Sequence, residues 1–411
     1  MTTRLTEDEK AMLRGDRGEA VQFAMETVVR VARGFGAEEL VEVVSVHAMA
    51  MYGDLHDAGL DLLERLHRLG GRCCVPTTQD PASMSFTHWQ RMGVPAAYAD
   101  KQFRLARLAE ALGEHPLWSC TPYDAGNAPA YGQNVAWAES SAVSFANSVL
   151  GARTNRTPAG LAICAALTGR MPKVGLYRLE NRVARVRVVV DAGELTPLDY
   201  HTLGILIGRR LGTEIPALVG IPPNVTRDDL KSLGAAAAAS GAVALYHVIG
   251  VTPEACRADP FGGQPPREEF QVTRGDLETT VRELQTAHPG PVDLVVVGCP
   301  HYSLAEVRRL AGLLRGRRVA AGKALWVYTS GEVERQAAEE GLLATLDAAG
   351  AEVLAQTCAV MSPLPKRFRT LMTDSGKYAS YLPSEHGVEL VYGGIDACVQ
   401  AVAALQEGIG A

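Results

Sequence analysis

The chain has 411 residues, enough for two or three domains, and 47% of them are hydrophobic, enough for a sizeable buried core. Its 40 basic and 46 acidic residues give a net charge of −6, and because no basic cluster stands out we exclude nucleic acid as a partner. Residues 233–251 carry no formal charge, but this alanine-rich segment is predicted as a helix ending near Ser240 and then a buried strand, not a membrane span. The first twelve residues lack the apolar core of a signal peptide. We expect a soluble cytoplasmic protein with reduced cysteines.

The first 190 residues are predicted to form helices around a short sheet, together with a loop-rich stretch. Thr6 and Glu9 stand in capping-box spacing at the start of the first helix. The further predicted elements are a helix over 19–33, a strand over 38–47, a helix over 60–69 and strands over 72–78 and 185–190. Proline, glycine, asparagine, serine and aromatic residues dominate residues 117–156, a composition typical of an active-site segment.

A regular alternation of strand-like and helix-like runs begins at about Asp293. The strand-like runs are LVVVG, ALWVYTS and AEVLAQT, and the helix-like runs between them are SLAEVRRLAGLL and GEVERQAAEEGLLATLDAAG. This alternation predicts right-handed βαβ units and a parallel sheet. We therefore predict an α/β fold with mainly parallel sheets, in three lobes at residues 1–190, 191–290 and 291–411.

Three of the eight cysteines occupy positions that suit a site. Cys120, Cys299 and Cys358 each close an apolar, strand-like run and open onto a polar loop that contains proline. Loops at the carboxyl ends of strands are where α/β proteins build sites. Three thiolates brought together there suit an iron–sulfur cluster with one iron open to substrate, or a single iron. No CxxC pair is present, and any one cysteine alone is better explained as a buried apolar residue, as we expect for Cys164 and Cys398.

Chemically versatile side chains are dense between Cys120 and Arg156. Arg153 and Arg156 can present planar forks to a carboxylate or phosphate, or form surface ion pairs. Glu139 can act as an acid or base if burial raises its pKa. The further polar candidates in this segment are Ser140, Ser141, Asn147 and Asn155. The alternative is a helix that packs its serines and asparagines against the core and ends at Gly151.

Candidates elsewhere are more isolated. Thr77 and Thr78 follow a predicted strand and can hold an anion or form a turn. His301, two residues after Cys299, can contact substrate or orient the loop. Lys377 lies in a small-residue loop that suits an anion, or it is simply solvated. His47 is predicted to be a core histidine. The absence of Walker A, GxGxxG and HExxH motifs excludes nucleotide-dependent and zinc-peptidase functions.

Motifs along nearly the whole chain resemble the large, catalytic subunit of aconitase X, a branch of the aconitase superfamily. The motifs include VPTT, WSCTPY, GQNVAWAESSAVSFANSVLGARTNR, GCPHYSLAE, QTCAVMSP and SGKYASYLP, in family order. The resemblance implies an aconitase-like architecture and a hydro-lyase that dehydrates a small hydroxy acid such as cis-3-hydroxy-L-proline or mevalonate 5-phosphate. The phosphomevalonate activity is typical of archaea, whereas this alanine- and arginine-rich composition is typical of bacteria and so favours the hydroxyproline activity. A dehydratase of specialised metabolism and a non-catalytic relative that binds a small acid are the alternatives.

The resemblance also implies roles for particular residues. The family's cluster-binding cysteines match Cys120, Cys299 and Cys358. From the residues themselves we predict Glu139, Ser140, His301 and Lys377 as catalytic. The predicted substrate-binding residues are Thr77, Thr78, Gln133, Ser141, Asn147, Arg153, Asn155 and Arg156. The family's swivel domain, which supplies a catalytic serine, has no counterpart in these 411 residues, so a separate small swivel-domain subunit is expected.

Several positions depart from the family pattern on the expected substrate side. After VPTT the family usually has Asn and then Asp, where this chain has Gln79 and Asp80. The remaining departures are Ser85, Thr157, Pro158, Tyr177 and Asp374. These changes bear on the identity of the substrate more than on the metal centre.

Overall fold

Each of three consecutive segments of the chain forms its own β-sheet system. The computed structural model describes residues 3–287 and 290–405. Its longer sheets are parallel and alternate with helices, which confirms the predicted α/β class. None of the helices within these ranges is long and apolar enough to cross a membrane.

From residue 3 onward, the first segment contains six α-helices and two small sheets. The predicted capping box is present, because the Thr6 side chain accepts from the Glu9 backbone and Glu9 accepts from the Thr6 backbone. Strands β2, β3 and β4 form a parallel sheet in the order β3-β2-β4, while β1 and β5 pair antiparallel. The elements are α1 (Glu7–Arg14), α2 (Glu19–Gly34), β1 (Leu40–Glu42), β2 (Val46–Ala48), α3 (Tyr52–Arg68), β3 (Thr77–Gln79), α4 (Ala96–Ala111), β4 (Ala136–Trp137), α5 (Ser140–Phe145), α6 (Ala159–Thr168) and β5 (Arg170–Pro172).

Two strand predictions in this segment were wrong in extent. The run 38–47 is divided between β1 and β2, because Val43 and Val44 donate backbone hydrogen bonds to Gly169 and Asn134 outside these strands. Of the run 72–78, only the threonines belong to a strand. After α5 the chain continues as a π-helical turn, Ala146–Leu150, which ends at Gly151 with φ +69°.

The middle segment is a parallel sheet in the order β8-β7-β6-β9 with helices between its strands. Residues 227–240 form the predicted helix ending at Ser240, but the strand predicted after it is reduced to two residues. The lobe boundary predicted at 190/191 falls inside β6. The elements are β6 (Val186–Asp191), α7 (Pro197–Leu211), β7 (Pro216–Val219), α8 (Arg227–Ser240), β8 (His247–Val248), α9 (Pro253–Arg257), β9 (Glu268–Thr273) and α10 (Arg274–Leu284).

The last segment is built on a five-stranded parallel sheet in the order β13-β12-β10-β14-β15, as the alternating pattern predicts. The helix expected over 331–350 is two helices, because Gly341 adopts φ +72° and breaks it. The elements are β10 (Leu294–Tyr302), α11 (Leu304–Leu314), β11 (Arg317–Val319), β12 (Ala324–Thr329), α12 (Gly331–Glu339), α13 (Leu342–Ala348), β13 (Glu352–Ala355), β14 (Thr370–Thr373), α14 (Gly376–His386), β15 (Glu389–Tyr392), α15 (Ile395–Val402) and β16 (Ala403–Leu405).

Backbone hydrogen bonds join the first and last segments beside the carboxyl end of β13. Ala82 donates to the Gln356 carbonyl at 3.0 Å and accepts from the Cys358 amide at 3.3 Å. The Thr357 hydroxyl also donates to the Ala82 carbonyl at 3.0 Å. These contacts hold the carboxyl edges of the β3-β2-β4 sheet and the five-stranded sheet against one another.

Candidate active site

The carboxyl edges of these two parallel sheets enclose a cavity of about 270 Å³. Such edges collect the loops that follow each strand, so residues far apart in sequence meet there. One side is lined by residues after β2, β3 and β4, the other by residues in or after β10, β13 and β14, and Cys120 comes from the loop after α4. The polar and sulfur-bearing lining residues are Met49, Met51, Asp80, Cys120, Glu139, Ser140, Cys299, His301, Cys358, Met361, Lys377, Tyr378, Tyr381 and Glu385. We call this space the cysteine cavity.

The structure brings Cys120, Cys299 and Cys358 to the cysteine cavity. Cys299 lies within β10, and Cys358 follows β13 as expected. The run before Cys120 is not a strand, because Trp118 adopts φ +50° and the loop turns there. Cys120 and Cys299 are buried and Cys358 is partly exposed. Burial raises the pKa of all three thiols, and the Cys120 thiol is raised further by the negative charges of Glu139 and Asp80.

His301 connects the three cysteine-bearing loops. Its Nε2–H donates to the Thr357 carbonyl at 2.8 Å, next to Cys358, and its Nδ1 accepts from the Ser119 hydroxyl at 3.1 Å, next to Cys120. The His301 backbone N–H donates to the Cys120 sulfur at 3.2 Å. Burial lowers the pKa of His301 to about 4, so the ring is neutral at physiological pH. With both nitrogens occupied, the geometry supports the loop-orienting role.

Glu139 and Lys377 form a buried ion pair in the cysteine cavity, with side chains 6% and 14% exposed. Glu139 is also the N-cap of α5 and accepts from the Ala142 backbone N–H at 2.6 Å and the Ser141 hydroxyl at 2.5 Å. Burial raises the pKa of Glu139, but the charge of Lys377 and these hydrogen bonds outweigh it and lower the pKa to about 2. Glu139 was expected to act as an acid or base only if burial raised its pKa, and its pKa is lowered instead.

The lysine is correspondingly held as a cation. Burial lowers the pKa of Lys377, but Glu139 and the nearby cysteines raise it well above its ordinary value. The Ser140 hydroxyl lies 3.5 Å from Lys377 Nζ and also lines the cavity. Ser141 faces Glu139 instead, and its role is to hold that carboxylate.

Asp80 is a polar residue of the cavity that the sequence analysis did not assign to the site. It follows β3, its side chain is buried with 3% exposure, and its Oδ1 accepts no hydrogen bond from a described residue. The nearest base is His47, whose Nε2 lies 3.4 Å from Oδ1. Burial raises the pKa of Asp80 to about 6, opposed by His47. The position directly after a strand, beside Thr77 and Thr78, was the signal available in the sequence.

None of the eight predicted substrate-binding residues lines the cysteine cavity; besides Ser141, which contacts Glu139, seven others lie outside it. Thr77 donates to the Val75 carbonyl at 3.0 Å, while Thr78 bonds to His47 at 2.9 Å and accepts from Asn127 at 2.8 Å. Both threonines are buried within strand β3. The other five lie in or beside the segment 133–156: Gln133, Asn147, Arg153, Asn155 and Arg156.

These five residues either hydrogen-bond to nearby backbone groups or lie away from the cysteine cavity. Asn147 binds the Thr154 and Ala244 carbonyls, both at 2.9 Å, and Asn155 binds Val174 and Leu176. The Gln133 side chain accepts from the Ala130 backbone in an exposed turn. Arg153 lines a different cavity, of about 300 Å³, and Arg156 is exposed.

Most of the departures from the family pattern also lie away from the cysteine cavity. Tyr177 is buried and donates to the Val135 carbonyl at 2.8 Å. Asp374 accepts from the Tyr302 hydroxyl and lines a second cavity. The Ser85 hydroxyl accepts from the His88 backbone N–H, and the Thr157 hydroxyl donates to the Asn155 carbonyl. Pro158 is the N-cap of α6. Of the seven departures, Asp80 alone lines the cysteine cavity.

Comparison with known proteins identifies the family. Family models for the first, second and third domains of aconitase X match residues 2–180, 184–282 and 292–404. The chain is 42% identical to a cis-3-hydroxy-L-proline dehydratase of Pseudomonas aeruginosa, over 97% of this chain and 70% of that protein. It is 41% identical to the phosphomevalonate dehydratase large subunit of Methanothermobacter thermautotrophicus, over 94% of this chain and 96% of that subunit.

A solved structure agrees with both matches. The holo-form of Thermococcus kodakaraensis aconitase X superposes with a TM-score of 0.89 and 34% identity, covering 97% of this chain and all of that one. The similar proteins are dehydratases, and the chain is an enzyme of the hydro-lyase class. With all three domain models matched in order, the chain belongs to the aconitase X family.

Proposed function

We propose that this hydro-lyase removes water from a small hydroxy acid in the cysteine cavity, with an iron–sulfur centre held by Cys120, Cys299 and Cys358. The observation that carries the proposal is the convergence of three cysteines from three separate loops on a cavity that also contains the Glu139–Lys377 pair. A cytoplasmic location, where thiols stay reduced, is part of the proposal.

The chemistry of the cavity fits such a group. Its three thiols have raised pKa values because they are buried beside carboxylates, so ionising them requires a positive partner, which iron provides. Within the described ranges, no group of three or more His, Cys, Asp or Glu side chains is already arranged to hold a metal ion. Three thiolates suit a cluster or a single iron, and the ratio of iron to sulfide decides between them.

The bound group would supply a Lewis acid for the departing hydroxyl and a carboxylate oxygen. Lys377 is the cation of this cavity, and its ammonium group would hold the substrate carboxylate while Glu139 fixes the position of the lysine. Ser140 would donate its hydroxyl to the substrate from the same side. The hydrogen bonds of His301 would hold the three cysteine-bearing segments in fixed positions relative to one another.

The proton next to the carboxylate needs a base, and we assign this step to a separate small swivel-domain subunit. Glu139 and His301 already use their basic atoms within the chain. The pattern of similarity supports the subunit: the chain covers 96% of a relative named as a large subunit but 70% of the hydroxyproline dehydratase. The additional length of the latter is where a fused swivel domain would lie.

The proposal is tested by purifying the chain without oxygen, alone and with its small subunit. We expect a visible spectrum of an iron–sulfur centre, iron and sulfide in the protein, and loss of water from a hydroxy acid, followed by NMR, when both subunits are present. A protein without bound iron, or full turnover by this chain alone, would contradict the cluster or the partner respectively.

A further inference from the structure

Lys231 is a buried cation at the contact between the middle and last segments. It lies on α8, and its side chain is 2% exposed. Its Nζ atom contacts two carboxylates, Glu306 at 2.6 Å and Asp228 at 2.9 Å. Burial alone lowers the pKa of Lys231, but the two carboxylates outweigh burial and raise the pKa, so the side chain is charged. A buried cation that is paired in this way is held closely in one position.

The same ammonium group contacts the backbone at the end of the cysteine-bearing strand β10. Lys231 Nζ donates to the His301 carbonyl at 3.3 Å. Its two carboxylate partners bind the chain just beyond, because Ser303 donates its hydroxyl to Asp228 at 2.7 Å and its backbone N–H to Glu306 at 2.8 Å. The turn from His301 to Ser303 is therefore attached to α8 of the middle segment through one charged cluster.

The backbone of His301 lies between this charged cluster and a candidate metal ligand. The His301 carbonyl accepts from Lys231, whereas the His301 N–H donates to the Cys120 sulfur at 3.2 Å. Hydrogen bonds to a metal-binding sulfur orient the ligand and tune the electronic properties of the metal centre. Because one residue separates the lysine from the sulfur, a change at Lys231 is transmitted directly to the environment of Cys120.

We propose that Lys231 is a positioning residue for the metal centre, which fixes the His301 backbone so that its N–H donates to the Cys120 sulfur. This inference rests on the proposed function, in which Cys120 is a metal ligand. Lys231 does not line the cysteine cavity, unlike Lys377, and it acts on the metal centre only through His301. The middle segment thereby contributes to a site whose candidate ligands all belong to the first and last segments.

The Lys231→Met variant removes the donor and its charge while keeping a long side chain. The variant and the wild type are purified without oxygen, and their iron content, visible and EPR spectra and resistance to an iron chelator are compared. We expect the variant to lose half of its iron at an about 10- to 100-fold lower chelator concentration, the effect typical of removing a contact that orients a metal ligand. We also expect a shifted spectrum for the iron that stays bound, because the hydrogen bond to the Cys120 sulfur is weakened.

The double variant Lys231→Met/Glu306→Gln provides a second measurement if the single variant folds poorly. It removes one charge of each sign, so it leaves no additional unpaired charge in the interior. Arg182→Met is the matched control, because Arg182 is also 2% exposed and is paired with Glu254 at 2.7 Å, while its other hydrogen bonds go to residues outside the cysteine-bearing loops. This control should unfold at a lower urea concentration but keep the wild-type spectrum and iron retention.

Four results would overturn the inference. Wild-type spectra and iron retention in both Lys231 variants would mean that the lysine only stabilises the contact between two segments. Equal iron loss in Arg182→Met would mean that lower stability alone releases the metal. Failure of both Lys231 variants to fold, while Arg182→Met folds, would make Lys231 a requirement of the fold and not of the metal centre. A wild type without iron would refute the proposed function and this inference with it, whereas the first three results leave the proposed function standing.

Discussion

Replacing His301 by alanine should release the metal centre without removing a proton carrier. The ring gives two buried hydrogen bonds, at 2.8 Å to the Thr357 carbonyl and 3.1 Å to the Ser119 hydroxyl. Each contributes about 1 kcal/mol net, and the Thr357 carbonyl left unpaired in a buried position costs about 1–3 kcal/mol more. We expect the variant to be less stable by about 3–5 kcal/mol, with the loss concentrated in the three cysteine loops.

The assay combines urea unfolding with iron and sulfide analysis of anaerobically purified protein. His301→Gln is the matched control, because glutamine retains one donor and one acceptor and should recover part of both the stability and the iron content. Full iron content and unchanged stability in His301→Ala, together with lost turnover, would refute the reasoning and make His301 a proton carrier.

Four further substitutions or conditions test the remaining assignments. Serine at any of the three cavity cysteines should abolish iron binding, whereas Cys164→Ser, a buried control in α6, should keep full iron content on analysis. Glu139→Gln leaves the ammonium of Lys377 buried without its partner and should cost about 3–5 kcal/mol in urea unfolding; an unchanged midpoint would count against the ion pair. Arg156→Lys should leave kcat/KM within about twofold, since the side chain is exposed away from the cavity, and a loss of about a hundredfold would restore Arg156 to the site. Burial lowers the pKa of His201 to about 3, so below about pH 6.5 the unfolded state binds a proton that the folded state does not. The free energy of unfolding should therefore fall as the pH drops, by about 2 kcal/mol at pH 5. A His201→Gln variant with an equally steep pH profile would contradict this.

The parts of the site that the sequence could predict are those fixed by strand order. Cys299 and Cys358 belong to strands of one parallel sheet or follow them directly, and parallel strands end at the same edge. Cys120 lines the cavity although the local reason for expecting it there was wrong, because the loop before it turns at Trp118 and is not a strand. Its position depends instead on the contact between the first and last segments.

The substrate-binding predictions depended on information that local pattern does not contain. Residues 147–156 are rich in polar groups, but whether those groups face a cavity depends on how the π-helical turn and the following loop pack. Here the side-chain amides of Asn147 and Asn155 donate hydrogen bonds to the Thr154 and Val174 carbonyls, a common structural role of asparagine in loops. The alternative interpretation, a packed helix ending at Gly151, accounts for Asn147, whereas Asn155 lies in the loop beyond it.

Asp80 illustrates how a departure from a family pattern gains meaning from structure. In the sequence it is one of seven differences, and only its position directly after a predicted strand separates it from Tyr177 or Thr157. The structure separates them by their partners, since Tyr177 and Thr157 bond to backbone carbonyls and Asp80 Oδ1 has no donor among the described residues. Tyr177 and Thr157 therefore stabilise their own loops, whereas Asp80 lies in the cavity lining with its Oδ1 3.4 Å from His47 Nε2, so its partner is a buried side chain of the neighbouring strand β2.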